Sequence, residues 1–180
     1  MQKTLTPAER LIVAADFKPP QEEQWIENGL YSDQSIVCRS RISWVKRQVL
    51  ALADSLKGTG VNFKLNSPLR ACGYNDLIGE IHSRGLRVFA DLKLIDIGET
   101  LSTDGVLLRE AKPELLTTMC VAGLTAIQAL KAKLPDTEVL GVTVLTSLTE
   151  KETHDIYGAS IDVVVSRFAD LGEEAGLDGF

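Results

Sequence analysis

Short apolar runs alternate along the chain with stretches of helical periodicity. Residues 11–15 form a continuous apolar run closed by Asp16, and residues 61–65 a second with Lys64 near its end. Residues 87–93 carry a third run that includes Asp91 and Lys93, and residues 115–120 a fourth. Residues 139–145 form a fifth, followed by Thr146 and Ser147. Near-continuous apolar strands suit a parallel sheet covered on both faces. The gaps read as helices. Val45, Val49, Leu52 and Leu56 share one helical face, with Gly58 as the stop. Leu77, Ile78 and Ile81 form a second stripe ended by Gly85, and Val106, Leu107 and Ala111 a third ended before Pro113. Ala126, Ile127 and Leu130 form a fourth stripe before Pro135. Ile161, Val164, Phe168 and Leu171 form a fifth, with Gly176 as its C′ residue. Strands alternating with such helices predict βαβ units with right-handed crossovers.

One interval breaks the rhythm. Asp16 and Lys64 are separated by 47 residues, more than one helix needs. Pro19-Pro20 and the segment 21–30, with Trp25 and Ile26 as apolar contacts, predict a short extra helix. Residues 18–34 are therefore read as an insertion after strand one. No repeat or linker divides the chain, so one domain over residues 1–180 is expected.

Composition narrows the class. The 180 residues are 44% hydrophobic and 24% charged, the profile of one soluble globular domain. No run of 18 apolar residues predicts a membrane span, and the first ten residues lack the apolar stretch of a leader. The net charge of −6 argues against a nucleic-acid partner. The one basic cluster, Arg39, Arg41, Lys46 and Arg47, reads as a solvated helix face rather than a phosphate patch. Cys38, Cys72 and Cys120 are far apart, which supports neither a disulfide framework nor a zinc site. Reduced thiols in a cytoplasmic protein are the expectation.

The ionisable residues gather at strand ends. Asp16 closes strand one, Lys64 nears the end of strand two, Asp91 and Lys93 close strand three, and Ser147 follows strand five. Parallel α/β folds place their catalytic groups there, because the loops converge on one mouth. Strand one runs into Asp16-Phe17-Lys18-Pro19-Pro20, with no glycine-rich phosphate turn. That favours a β/α barrel over a doubly wound sheet. In the segment 90–100, Asp91 and Lys93 are two apart and share a strand face, while Asp96 lies beyond the strand. The spacing D-x-K-x-x-D alone fits a surface ion-pair network. Its place inside an apolar strand, with Asp16 and Lys64 at equivalent strand ends, favours a site.

With these positions in view, the chain resembles the orotidine 5′-monophosphate decarboxylase family. The likeness runs through residues 11–16, Phe63-Lys64, residues 89–100, residues 141–147 and residues 176–180. It implies a TIM (β/α)8 barrel, present here as strands one to five and the opening of a sixth, since the full architecture takes about 250 residues. It also implies decarboxylation of orotidine 5′-monophosphate to uridine 5′-monophosphate in pyrimidine synthesis. Lys64, Asp91, Lys93 and Asp96 would form the family's alternating tetrad, with Lys93 as proton donor and Asp91 beside the substrate carboxylate. Asp16 would bind the ribose hydroxyls, and Thr146 and Ser147 the pyrimidine base. Asp96 and Thr100 would reach across a homodimer interface. No cofactor and no metal are implied, so fixed charges must stabilise the electron pair left by carbon dioxide. Three departures stand out. Gly98 replaces the usual proline, Met119 replaces a common histidine on strand four, and the chain ends at Phe180, before the family's phosphate-gripping loop and arginine. Strand four is accordingly expected to carry no catalytic role.

Two other readings compete. A magnesium-dependent sugar-phosphate decarboxylase or aldolase of the same superfamily also carries D-x-K-x-x-D, but resembles a pattern with Glu at the Lys64 position. A truncated barrel could instead dimerise without catalysis. His82 and His154 are read as packing or solvent-facing, Cys72 and Cys120 as small core residues, and Trp44 and Phe168 as packing aromatics. Tyr157 has no evident partner in the sequence.

Overall fold

A computed structural model of the chain describes residues 5–19 and 34–180. The helix expected around Trp25 and Ile26, and nearly all of the 18–34 insertion, lie outside the described residues. The chain forms two compact units, Met1–Phe89 and Ala90–Phe180, and passes from one to the other within a strand. Five parallel strands alternate with helices along it.

The first unit runs β1 (Ile12–Ala14), α1 (Gln34–Ser55), β2 (Asn62–Leu65), α2 (Ser67–Cys72), α3 (Tyr74–His82) and the opening of β3 (Arg87–Leu94). β1 pairs with β2 in parallel, Ala14 level with Lys64, and β3 follows β2 in the sheet. α1 buries Val45, Val49 and Ala53, one face at a spacing of four. Gly58 ends this helical region with φ +75°, and its N–H bonds the Arg84 carbonyl. α3 buries Leu77, Ile78 and Ile81, as the periodicity predicted. The short α2 was not legible in the sequence. It starts with Pro68 in its first turn and buries Leu69. Of the basic cluster, Arg47 is exposed and Lys46 pairs with Glu80 of α3 at 2.6 Å.

At the amino ends of these strands a polar network ties the first residues down. Thr6 and Glu9 cap one another reciprocally around the single turn Ala8–Arg10. The buried Asn62 amide donates to the Glu9 carbonyl at 2.6 Å and accepts from Arg87 Nε at 3.1 Å. Arg87 also reaches the Glu9 carboxylate at 3.3 Å. At this end of a barrel strand, polar contacts serve stability rather than chemistry.

The second unit runs from the rest of β3 through α4 (Gly98–Ala111), β4 (Leu115–Met119), α5 (Leu124–Lys131), β5 (Glu138–Val142), α6 (Glu150–Tyr157) and α7 (Ile161–Glu174). β3, β4 and β5 are successive in the sheet, and β4 pairs with β5 in parallel from Leu115–Glu138 to Met119–Val142. β5 thus ends three residues earlier than the apolar run 139–145 suggested. Its partner ends at Met119, where Cys120–Ala122 turns into a 3-10 segment, so no ladder remains to extend. α6 opens on a Thr149–Glu152 capping box. α7 ends in a Schellman motif, Gly176 donating to Glu173 and Leu177 to Gly172. The chain then lies along β5, Leu140 bridging Gly179 in parallel, which is the opening of a sixth strand. Lys131 and the Val139 N–H both bind the Asp178 carboxylate there. Tyr157 finds its partner in Phe168, edge to face at 5.6 Å.

The third apolar stripe is corrected. Val106 and Leu107 are 48% and 50% exposed; of that stripe only Ala111 is buried, and α4 buries Leu101, Gly105 and Leu108 with it. Gly105 sets that face, because a Cβ there would lie 2.8 Å from Lys133 Cβ and 3.1 Å from the Leu130 carbonyl oxygen. Its lack of a side chain lets α4 close on α5. Gly105→Ala is therefore expected to destabilise the protein. Overpacking of about 1–3 kcal/mol exceeds the helix-propensity gain of about 1 kcal/mol. Gly79, in α3, has open space around it, so Gly79→Ala keeps the gain alone. Urea denaturation should move the two midpoints in opposite directions; a higher midpoint for Gly105→Ala would contradict this packing.

Candidate active site

In the first unit, the parallel register brings the ends of β1 and β2 level, and Asp16 meets Lys64 there. Lys64 Nζ lies 2.7 Å from Asp16 Oδ2, and the Asn66 N–H donates to Asp16 Oδ1 at 3.3 Å. The Lys64 side chain is 23% exposed and that of Asp16 41%, so the pair adds little stability. What it fixes is geometry, an ammonium and a carboxylate oriented at the carboxyl ends of two strands. Beside them opens a cavity of about 270 Å³ lined by Asp16, Phe17, Lys18, Pro19 and Ser67. Ser67, at the start of α2, lines it too, a residue that no motif or spacing singles out.

In the second unit, the carboxyl end of β3 holds a tighter group. Asp91 is buried among apolar neighbours of its strand, its side chain only 10% exposed, and Asp91 Oδ1 lies 2.5 Å from Lys93 Nζ. A carboxylate this deep needs a charge and donors close by, or burial would force it to take a proton. The ammonium supplies the charge. The Thr117 hydroxyl of β4 donates a further bond to Asp91 Oδ1 at 3.0 Å. The same hydroxyl oxygen accepts the Lys93 backbone N–H at 2.9 Å. Thr117 was missed in the sequence, where a threonine in an apolar strand reads as sheet packing.

Lys93 departs from ordinary strand geometry. Its φ is +48°, the left-handed region, and Lys112 is the other non-glycine residue there among those described. Lys112 follows the end of α4, a common place for that conformation; Lys93 sits inside a strand, where it does not belong. Such strain of order 1–3 kcal/mol gathers at functional positions.

The remaining expected residues are more open. Asp96 is exposed and Oδ1 accepts the N–H of Ile97 at 2.7 Å, just ahead of α4. Thr100, in the first turn of α4, is exposed. Thr146 and Ser147 are exposed in the loop after β5. His154 is exposed and His82 half-buried. Cys120 is buried in the core and burial pushes its thiol up to about 11, the state of an inert cysteine. Among the described residues, no group of three or more His, Cys, Asp or Glu is placed to hold a metal ion. None of their helices is long and apolar enough to cross a membrane.

Burial first, and the neighbouring Asp96 second, push the Asp104 carboxyl above its ordinary 3.8. The folded chain then holds that proton more tightly than the unfolded one. Ionised Asp104 therefore costs stability above its folded-state value, and the cost vanishes once pH falls below 3.8. Asp104→Asn is expected to raise the urea midpoint at pH 7 and leave it unchanged near pH 3. An equal shift at both pH values would refute the electrostatic cause.

Comparison with known proteins gives one consistent picture. The family model described as "Orotidine 5'-phosphate decarboxylase / HUMPS family" matches residues 9–180. The orotidine 5'-phosphate decarboxylase of Nautilia profundicola is 37% identical over 140 residues, which cover 74% of this chain and 61% of that protein. That of Sphingopyxis alaskensis is 37% identical over 133 residues, 72% of this chain and 59% of its own. The chain thus spans about three fifths of the length of the curated relatives it matches. Among solved structures, orotidine 5'-phosphate decarboxylase from Lactobacillus acidophilus superposes with a TM-score of 0.66 at 21% identity, covering 94% of this chain and 69% of that one. The enzyme from Methanocaldococcus jannaschii gives 0.60 at 17% identity, covering 74% and 63%. At such identities the structural likeness speaks for the fold alone, and it bears out the β/α-barrel class expected from the sequence.

Proposed function

Since the chain belongs to the orotidine 5'-phosphate decarboxylase / HUMPS family, we propose that it takes part in the decarboxylation of orotidine 5'-monophosphate to uridine 5'-monophosphate, as a cytoplasmic enzyme of pyrimidine synthesis. The observation that carries this reading is the Asp91–Lys93 pair at 2.5 Å at the carboxyl end of β3, its carboxylate buried and its ammonium partly open. In the reaction the bond between ring carbon and carboxylate breaks, carbon dioxide leaves, and the electron pair stays on the ring carbon. A proton must then arrive at that carbon. Lys93 Nζ carries both the positive charge that stabilises the pair and the proton that quenches it. Asp91, bonded by the Lys93 ammonium and the Thr117 hydroxyl, would face the substrate carboxylate as a like charge, relieved when carbon dioxide departs.

Lys64 and Asp96 are the other members of the proposed tetrad, whose formal charges sum to zero. Asp16, beside the 270 Å³ cavity, would take the ribose hydroxyls. Thr146 and Ser147 would contact the pyrimidine base, their exposure after β5 leaving their hydroxyls available. Asp96 and Thr100 would serve a partner's site in a homodimer. Exposed Ile95, Ile97, Val106 and Leu107 lie on the same stretch of chain, apolar surface that a second copy would cover. Sedimentation should then give twice the chain mass, and a monomer at micromolar concentration would remove the shared-site part of the reading.

Calorimetric titration with uridine 5'-monophosphate tests the substrate assignment. Saturable binding that is lost in Asp16→Ala is expected. Absence of binding would favour a non-catalytic barrel fragment, and binding that requires added magnesium would favour a metal-dependent sugar-phosphate enzyme.

A further inference from the structure

We propose that Thr117, on the strand the sequence left without a role, is a positioning residue that sets the Asp91–Lys93 pair. The proposal rests on the decarboxylase reading for its kinetic consequence and on geometry alone for its structural one. The Thr117 residue is 5% exposed, so water does not replace its bonds. A hydroxyl offers one donor and two acceptor positions. Here the donor goes to Asp91 Oδ1 at 3.0 Å and the oxygen accepts the Lys93 N–H at 2.9 Å. Lys93 Nζ returns to the same Asp91 Oδ1 at 2.5 Å, which closes a ring through one side-chain oxygen of β4.

The ring explains how a lysine keeps φ at +48° within a strand. The Lys93 N–H bonds a side-chain oxygen of the neighbouring strand, and an N–H left unpaired away from water is costly. Thr117 Oγ1 supplies the acceptor. The neighbouring hydroxyl, Thr118, likewise donates to the Leu94 carbonyl at 2.9 Å. The end of β3 is thus held to β4 through two side chains. Through the first of these, the conformation that aims the ammonium and the charge that anchors it depend on the same atom.

The test compares wild type, Thr117→Val (same shape, no hydroxyl) and Thr117→Ser (hydroxyl restored). Two signals are read by NMR, amide exchange at Lys93 and the Lys93 side-chain ammonium, together with kcat and KM for orotidine 5'-monophosphate. In Thr117→Val, Lys93 amide exchange is expected to accelerate about fivefold or more and the ammonium signal to broaden. kcat is expected to fall about tenfold with KM within about twofold. Thr117→Ser should recover all of these. Unchanged exchange at Lys93, or a serine variant as defective as the valine one, overturns the proposal. Faster exchange with unchanged kcat in an active enzyme also overturns it, since the hydroxyl would then be structural only. A wild-type protein that makes no uridine 5'-monophosphate defeats the decarboxylase reading instead, and the two Lys93 signals then decide for or against Thr117. Should Thr117→Val fail to fold, Thr117→Cys, of similar volume and weak hydrogen bonding, takes its place with the same criteria.

Discussion

Lys93→Ala is expected to lower kcat for orotidine 5'-monophosphate by about 10³-fold or more while leaving a folded protein. A positioned proton donor contributes about 10²–10⁴-fold, and a fixed charge aimed at developing charge about 10²–10³-fold. One ammonium supplies both, so the two factors are lost together rather than multiplied. The fold should survive, because Asp91 keeps the Thr117 hydroxyl and Lys93 packs with its side chain 34% exposed. A companion variant separates chemistry from strain. Alanine inherits the φ of +48°, whereas glycine takes it without penalty. Lys93→Gly is thus expected to be more stable than Lys93→Ala by about 1 kcal/mol in urea denaturation, and equally inactive. A glycine variant no more stable than the alanine one would show that the site stores no backbone strain.

Asp91→Asn is expected to lower kcat by about 10²-fold without raising KM. The asparagine keeps the shape and can still accept from Thr117, so the loss reports charge. Two consequences follow from the geometry. The ammonium of Lys93 loses the carboxylate 2.5 Å away and swings toward water, and the proposed like-charge contact with substrate disappears. The first lowers kcat; the second holds KM down or reduces it. Because the residues act as a pair, Asp91→Ala combined with Lys93→Ala should be scarcely worse than Lys93→Ala alone. A raised KM with unchanged kcat would reduce Asp91 to a binding group, and multiplicative losses in the double variant would show that the two side chains act separately.

The parts of the fold that sequence exposes are those where chemistry and periodicity coincide. Asp16 and Lys64 stood out because a charge that ends an apolar run has few reasons to be there, and register then brings them within 2.7 Å. Asp91 and Lys93 stood out for the same reason. Thr117 did not, because its hydroxyl matters only through pairing with β3, and a threonine in a strand is ordinary. The left-handed φ of Lys93 is equally silent, since the alternation of side chains continues in the letters while the backbone departs from it. Val106 and Leu107 misled because hydrophobicity outweighs a glycine in any pattern, yet Gly105 is what lets α4 and α5 touch. The apolar run 139–145 overshoots β5 because such a run marks burial, whereas a strand also needs a neighbour, and β4 stops at Met119.

We propose that this chain's own charges, with no metal, remove carbon dioxide from orotidine 5'-monophosphate. The decisive experiment incubates the protein with that nucleotide in the presence of a chelator and follows uridine 5'-monophosphate. Product is expected to accumulate at the same rate with and without chelator, and to be absent with Lys93→Ala. No product from the wild-type protein, or product that stops when the chelator is added, would rule out metal-free decarboxylation by these charges.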